Sequence, residues 1–159
     1  MFSFSALPRS NDQHFKRDLT LIFILSFVSY ICDICKNNKT LYKNCKNKIV
    51  FNSVLLFHHF IWTFALFGFL SNNNQFLRIY VVVLIIYLIH WRLNKNQCFI
   101  TQWVRKECGL DDSHTLQYFT DIIFSKSDWG TNILKSRSSQ KVFLFILIII
   151  SILKLKNYK

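Results

Sequence analysis

The chain is 159 residues long, 52% apolar and formally +12 in charge, with a mean hydropathy of +0.24. Basic residues fill the connecting segments and are nearly absent from the apolar runs, a division that fits a multi-pass membrane protein and argues against a soluble domain. A basic balance permits phosphate binding, but no basic helix interleaved with aromatics is present, so the expectation is no nucleic-acid partner.

Residues 1–18 form a polar segment in which Pro8, Arg9, Lys16 and Arg17 lead into the first apolar run, 19–35. A basic stretch before an apolar one matches a signal peptide. Ser29-Tyr30-Ile31-Cys32-Asp33 offers no small-x-small cleavage site, however, so the run reads as a transmembrane helix or uncleaved signal anchor. Asp33 is then expected at the interface, where a carboxylate stays hydrated. The basic loop 36–48 carries five lysines and no acid, so it belongs in water. Run 49–71 holds 23 residues, about 34 Å as a helix and enough to cross a hydrocarbon core of about 30 Å. The short polar turn Ser71–Gln75 makes run 76–91 its antiparallel neighbour, with Arg78 placed to snorkel. That run closes on His90-Trp91-Arg92, an aromatic and basic boundary suited to the headgroup level.

Residues 94–140 are the extramembrane segment, with two short amphipathic helices expected on the membrane surface or over the bundle. In the first, about Gln97–Cys108, the residues Ile100, Trp103, Val104 and Cys108 recur at helical spacing, with Arg105, Lys106 and Glu107 on other faces. In the second, about Ser113–Phe124, Asp111, Asp112 and Ser113 supply N-terminal charge and a cap, and Leu116, Phe119 and Ile123 the apolar stripe. Ser125–Gln140 reads as a polar link. The last run, 142–155, reaches only about 21 Å as a helix. It crosses if Lys141, Lys154 and Lys156 snorkel and the bilayer thins; otherwise it is a buried or surface helix.

If all four runs span, the loops on one side hold 13 basic residues and the other side 7. The excess favours the cytoplasm, which would put both termini outside and 94–140 inside. Ile, Phe, Lys and Asn are abundant while Gly, Ala and Pro are scarce, the usage of an AT-rich coding genome. Part of the lysine excess is therefore compositional.

Cys32-Asp33-Ile34-Cys35 is a C-x-x-C at a helix end, and cysteines at i and i+3 share a face, so a thiol oxidoreductase using Cys32 and Cys35 with a loop cysteine as shuttle is one alternative. The opposing reading is small apolar helix residues. If the 36–48 loop is cytosolic, its thiols stay reduced and a structural disulfide is disfavoured. His58 and His59 lie inside a membrane run, where ionisable residues face the bundle interior. Adjacent positions diverge by about 100°, so they do not form a metal pair, and a neutral histidine bonding across helices is the favoured reading. His59, His90 and Cys98 converge only if the hairpin and the first surface helix fold together. No phosphate-cradling loop, metal set or cofactor motif is present. No intramembrane carboxylate pair and no polar helix stripe points to a relay or channel lining.

The stretch from His90 and Trp91 through Asn94 and Cys98 to Thr101, H-W-x-x-N-x-x-x-C-x-x-T, resembles a family of small multi-pass membrane proteins without an established activity. The resemblance covers about 54–155 and implies a three-helix core, with the first run as an N-terminal addition. It carries a motif role to His59, Gly68, Cys98, Ile100 and Thr101. Phe99 stands where the family has proline and Val104 where a glutamate follows. The local role that fits these residues is structural: Asn94 or Asn96 caps the surface helix, while Cys98 and Thr101 pack it against the preceding run.

The expectation is an all-α integral membrane bundle of three or four transmembrane helices plus two surface helices, in a cellular or viral membrane. Its role is read as structural or interaction-based rather than catalytic, with no cofactor. The lipid bilayer and homo-oligomeric or other membrane proteins are its partners. A thiol oxidoreductase and a small oligomeric channel are the alternatives.

Overall fold

The computed structural model describes residues 9–37, 42–110 and 137–157. The protein is all-helical: α1 (Arg9–Asn37), α2 (Lys48–Phe67), a 3-10 turn (Gly68–Leu70), α3 (Asn74–Leu93), α4 (Phe99–Cys108) and α5 (Arg137–Asn157). Four of these helices are long and apolar enough to cross a membrane, over Asp12–Asn37, Lys48–Leu70, Asn74–Leu93 and Ser138–Asn157. Their outward faces carry exposed Leu21, Phe23, Ile86 and Phe145, an apolar surface suited to hydrocarbon rather than water.

Helix limits follow from local chemistry. The Asn47 side chain accepts from the Val50 N–H at 3.2 Å and caps α2; the Asn73 side chain accepts from the Phe76 N–H at 2.8 Å and caps α3. Each satisfies a backbone donor that the first helical turn leaves over. α1 starts at Arg9, ahead of the apolar run, and its polar first turns include an exposed Asp12–Lys16 pair at 3.0 Å. α5 starts at Arg137, so the polar residues Ser138–Gln140 are helical rather than part of a link. The resulting 20-residue span is about 30 Å long and needs no thinning of the bilayer. The second expected surface helix, 113–124, lies outside the described residues.

α1 packs along α2, while α3 packs along α5. One apolar cluster runs through the bundle, with Phe64, Phe76, Tyr80, Leu84, Leu144 and Leu147 among its buried members. A second gathers at the end where α4 covers α2: Tyr42, Phe51, Leu55 and Val104, around Cys45 and Cys108. α4 therefore caps the bundle. Gly109, at φ +64°, ends it with a left-handed turn, and the Leu110 N–H bonds to the Arg105 carbonyl at 2.9 Å. Arg105, expected on a polar face, is buried beside Val104 and Cys108.

Gly68 is small for a packing reason. The Tyr80 ring lies over it, so a Cβ there would overlap the ring, and the Tyr80 hydroxyl donates to the Ala65 carbonyl at 2.7 Å. Gly68→Ala should displace Tyr80 from the middle of the core and cost about 1–3 kcal/mol. Denaturant titration of the purified chain in detergent measures this; an unchanged midpoint would show that the ring yields freely.

Candidate functional site

Along α1 the inward positions Asp18, Ile22, Ser26, Ser29 and Asp33 are all buried. Their spacing of four, four, three and four residues keeps them on one helix face. Four of the five are polar, so α1 carries the inward polar stripe that the sequence reading did not find. α2 lays His59 and Thr63, both 0% exposed, among its buried polar residues.

The seam is densest near the α1 C-terminus. The Ser29 hydroxyl and His59 Nδ1 are 2.7 Å apart, and His59 Nε2 lies 3.2 Å from Asp33 Oδ2. The Tyr42 hydroxyl donates to both Asp33 oxygens, at 3.0 and 3.2 Å, and the Asn37 amide donates to Oδ1 at 2.5 Å. Asp33 is only 3% exposed. The expected hydrated carboxylate is thus replaced by one whose hydration is supplied by protein donors. The two ring nitrogens of His59 thus have separate partners, Ser29 at Nδ1 and Asp33 at Nε2, one on each side of the imidazole. Burial first, and then the Asp33 charge and hydrogen bond, push the Tyr42 phenol well above its ordinary range and keep it a donor.

Serine, histidine and aspartate in hydrogen-bonded series have the composition of a hydrolytic triad. The environment does not suit that chemistry. Ser29 sits inside a continuous helix whose N–H groups are committed to the backbone ladder, so it has no local oxyanion donors. The three side chains are at most 3% exposed, which leaves no entry for substrate or water. What the arrangement does is fasten α1 to α2 and to the 42–47 segment.

The opposite end of α1 has its own polar lock. Asp18 accepts from Arg17 at 2.9 and 3.0 Å and from the Ser71 hydroxyl at 2.6 Å, and Ser71 Oγ in turn accepts from the Asn73 N–H. Lys154 of α5 donates to the carbonyls of Phe69 and Ser71 at 3.0 and 2.8 Å. It satisfies acceptors left over at the end of the α2 segment. Between the two locks lies Ile22, 4% exposed, an apolar plug in the stripe.

The cysteines sort differently from the C-x-x-C reading. Cys32 and Cys35 are free and exposed, flanking inward-facing Asp33 on the outer side of α1. Cys45 and Cys108, 63 residues apart, form a disulfide. It is buried in the α2–α4 cluster, and Glu107 reinforces it by accepting from the Lys46 and Asn47 N–H groups at 3.4 and 3.3 Å. A structural disulfide was disfavoured only on the premise of a cytosolic loop.

The hairpin and the surface helix do fold together, with a different histidine than expected. Cys98 Sγ lies 3.6 Å from Nε2 of His58, whereas His59 faces α1. His90 Nε2 accepts from the Phe99 N–H at 3.2 Å, so His90 rather than Asn94 or Asn96 serves the start of α4. Asn94 instead donates to the Gln97 carbonyl and to Gln102, while Asn96, at φ +62°, accepts from Lys141. Trp91 is buried against Tyr87, their rings 4.9 Å apart, and against Trp62 at 6.2 Å; Thr101 is half-buried three residues after Cys98. Among the described residues no group of three or more metal-ligating side chains is assembled.

Sequence reasoning missed Ser29, Tyr42 and the Cys45–Cys108 bond. For Ser29 the signal was present, since Asp18, Ser26, Ser29 and Asp33 recur at helical spacing within an otherwise apolar run. No family model, curated protein or solved structure matches this chain.

Proposed function

We propose that the chain is a multi-pass membrane protein with a structural or interaction role and no catalytic turnover, working in a cellular or viral membrane. The observation that supports this most is the closure of the Ser29–His59–Asp33–Tyr42 cluster. Every member is hydrogen-bonded to another, and none is more than 3% exposed. A catalytic centre needs entry for a substrate, and a conducting pore needs continuous wetting; here the polar stripe is closed and interrupted by Ile22. The outward apolar faces then meet lipid, a second copy or other membrane proteins, while the disulfide-braced end offers a rigid surface beyond the bilayer. The resemblance around His90 and Cys98 fits the same role, because those residues join α3, α4 and α2.

The test is stability. A structural clamp contributes to folding, whereas residues held for function are commonly neutral or costly to it. Ser29→Ala and His59→Gln should each lower the unfolding free energy of the full chain in detergent. For one interhelical hydrogen bond the loss is about 1 kcal/mol, and for the histidine substitution, which breaks the contacts to both Ser29 and Asp33, about 2–3 kcal/mol. Unchanged or increased stability in both variants would overturn the structural reading and mark the cluster as functional.

A further inference from the structure

The two ends of the bundle differ in what their basic side chains meet. At the Ser71 end, Asp12 pairs with Lys16, Asp18 pairs with Arg17, and Lys154 is engaged by two carbonyls. Among the described residues, only Arg78 and Lys156 are left exposed and unpaired there. At the α4 end, Lys36, Lys43, Lys46, Arg92, Lys95 and Lys106 are exposed and take part in no ion pair among the described residues. The acids described at that end are already engaged: Asp33 by Tyr42, Asn37 and His59, and Glu107 by the Asn47 N–H. The unpaired charge is most organised in the turn between α3 and α4. The Asn96 N–H closes this turn onto the Trp91 carbonyl at 2.7 Å, and Lys95 and Asn96 both hold left-handed backbone, at φ +49° and +62°. That is uncommon for two successive residues other than glycine. Lys141 of α5 donates to the Asn96 side chain and brings a third base beside Arg92 and Lys95. Leu93, between those two, is 80% exposed, and Phe99 at the start of α4 is 61% exposed.

We infer that the α3–α4 turn is a binding site for anionic phospholipid headgroups. α3 is long and apolar enough to cross the membrane and ends at Leu93, so the turn lies where hydrocarbon gives way to headgroups. Every phospholipid presents a phosphate at that level. A zwitterionic lipid carries its own cation, which offsets the phosphate, whereas an anionic headgroup leaves net negative charge for Arg92, Lys95 and Lys141 to meet. Arg92 adds a planar fork of donors suited to two phosphate oxygens. Leu93 and Phe99 complete the match, because acyl chains beneath the same headgroup cover side chains that a small soluble anion would leave in water. The inference rests on the membrane role proposed above and adds to it the class of lipid.

The experiment titrates the purified full chain in detergent with phosphatidylglycerol or with phosphatidylcholine of the same acyl chains, and reads lipid bound per chain by native mass spectrometry. Phosphatidylglycerol should bind more tightly, by a margin that shrinks as salt rises. Each base beside the headgroup corresponds to about a fivefold change in affinity, so Arg92→Gln/Lys95→Gln should weaken phosphatidylglycerol by about 25-fold and leave phosphatidylcholine nearly unchanged. Arg92→Lys/Lys95→Arg, which keeps both charges, should retain most of the preference. The opposite-end pair Arg78→Gln/Lys156→Gln should have a much smaller effect. Because all four side chains are exposed, the denaturant midpoint should not move in any of these variants. Equal affinity for the two lipids, or equal losses from the two neutralised pairs, would overturn the inference and leave the membrane role standing. Displacement of bound phosphatidylglycerol by inorganic phosphate or by polyglutamate at matched ionic strength would overturn it too, assigning the turn to a free anion or an acidic protein. A chain that binds neither lipid would overturn both readings together.

Discussion

Asp33→Ala should be the most destabilising single substitution in the α1–α2 seam, lowering the unfolding free energy by about 3–5 kcal/mol. The carboxylate is the common acceptor for His59, Tyr42 and Asn37. Removing it strands donors from three separate places, two of them fully or nearly fully buried, at about 1–3 kcal/mol each before relaxation. Interhelical hydrogen bonds in membranes average only about 0.6 kcal/mol, because the unfolded helices find other partners within the bilayer. That average concerns pairs; here one acceptor serves three donors at once. Asp33→Asn retains one acceptor oxygen and should lose less, so the order parent, Asn, Ala is the expected ranking of denaturant midpoints in detergent. Equal midpoints for Ala and Asn would show that hydrogen-bond supply at Asp33 is not what holds α1 to α2.

The length of the membrane runs made the four spans readable, since about 20 apolar residues bounded by lysine or asparagine have few other uses. The α5 start was not readable, because Ser138–Gln140 has no apolar periodicity. Its helix is set by continuation from the apolar residues that follow. The seam was harder for a different reason. Ser26 and Ser29 sit singly among Phe, Leu and Ile, and averaging over the run conceals a stripe that appears only when polar residues are indexed by helix face. Gly68 was singled out by resemblance alone, whereas His59 also stood out as an ionisable residue inside a membrane run. Their reasons are packing ones: a partner on another helix for His59 and an aromatic ring for Gly68. The bond between Cys45 and Cys108 depended on α4 folding back over α2, a tertiary event with no local signature.

The second large effect belongs to that bond. A closure of 63 residues corresponds to about 4 kcal/mol in the chain-entropy account. The figure is an upper bound for this chain, since α2 and α3 stay helical in detergent or lipid after tertiary unfolding and already restrict the loop. Cys45→Ser with Cys108→Ser should therefore cost about 2–4 kcal/mol, and dithiothreitol should destabilise the parent by a similar amount while leaving the double variant unaffected. The bond also bears on orientation. Alternating spans put the 42–47 segment and α4 on one side, and a disulfide there persists only in an oxidising compartment. The basic-residue count, 13 against 7, points that same side to the cytoplasm, but the count is inflated by a compositional lysine excess and each charge biases insertion only weakly. The two signals make opposite predictions for that side, and thiol accessibility separates them. In sealed cells an impermeant maleimide should reach Cys45 and Cys108 only after an impermeant reductant, with the ends of α1 and α5 distal to them on the reducing side. If both thiols instead react after permeabilisation without any reductant, the bond is absent in the cell, the charge-based orientation holds, and the bundle end must be held by Glu107 and apolar packing alone.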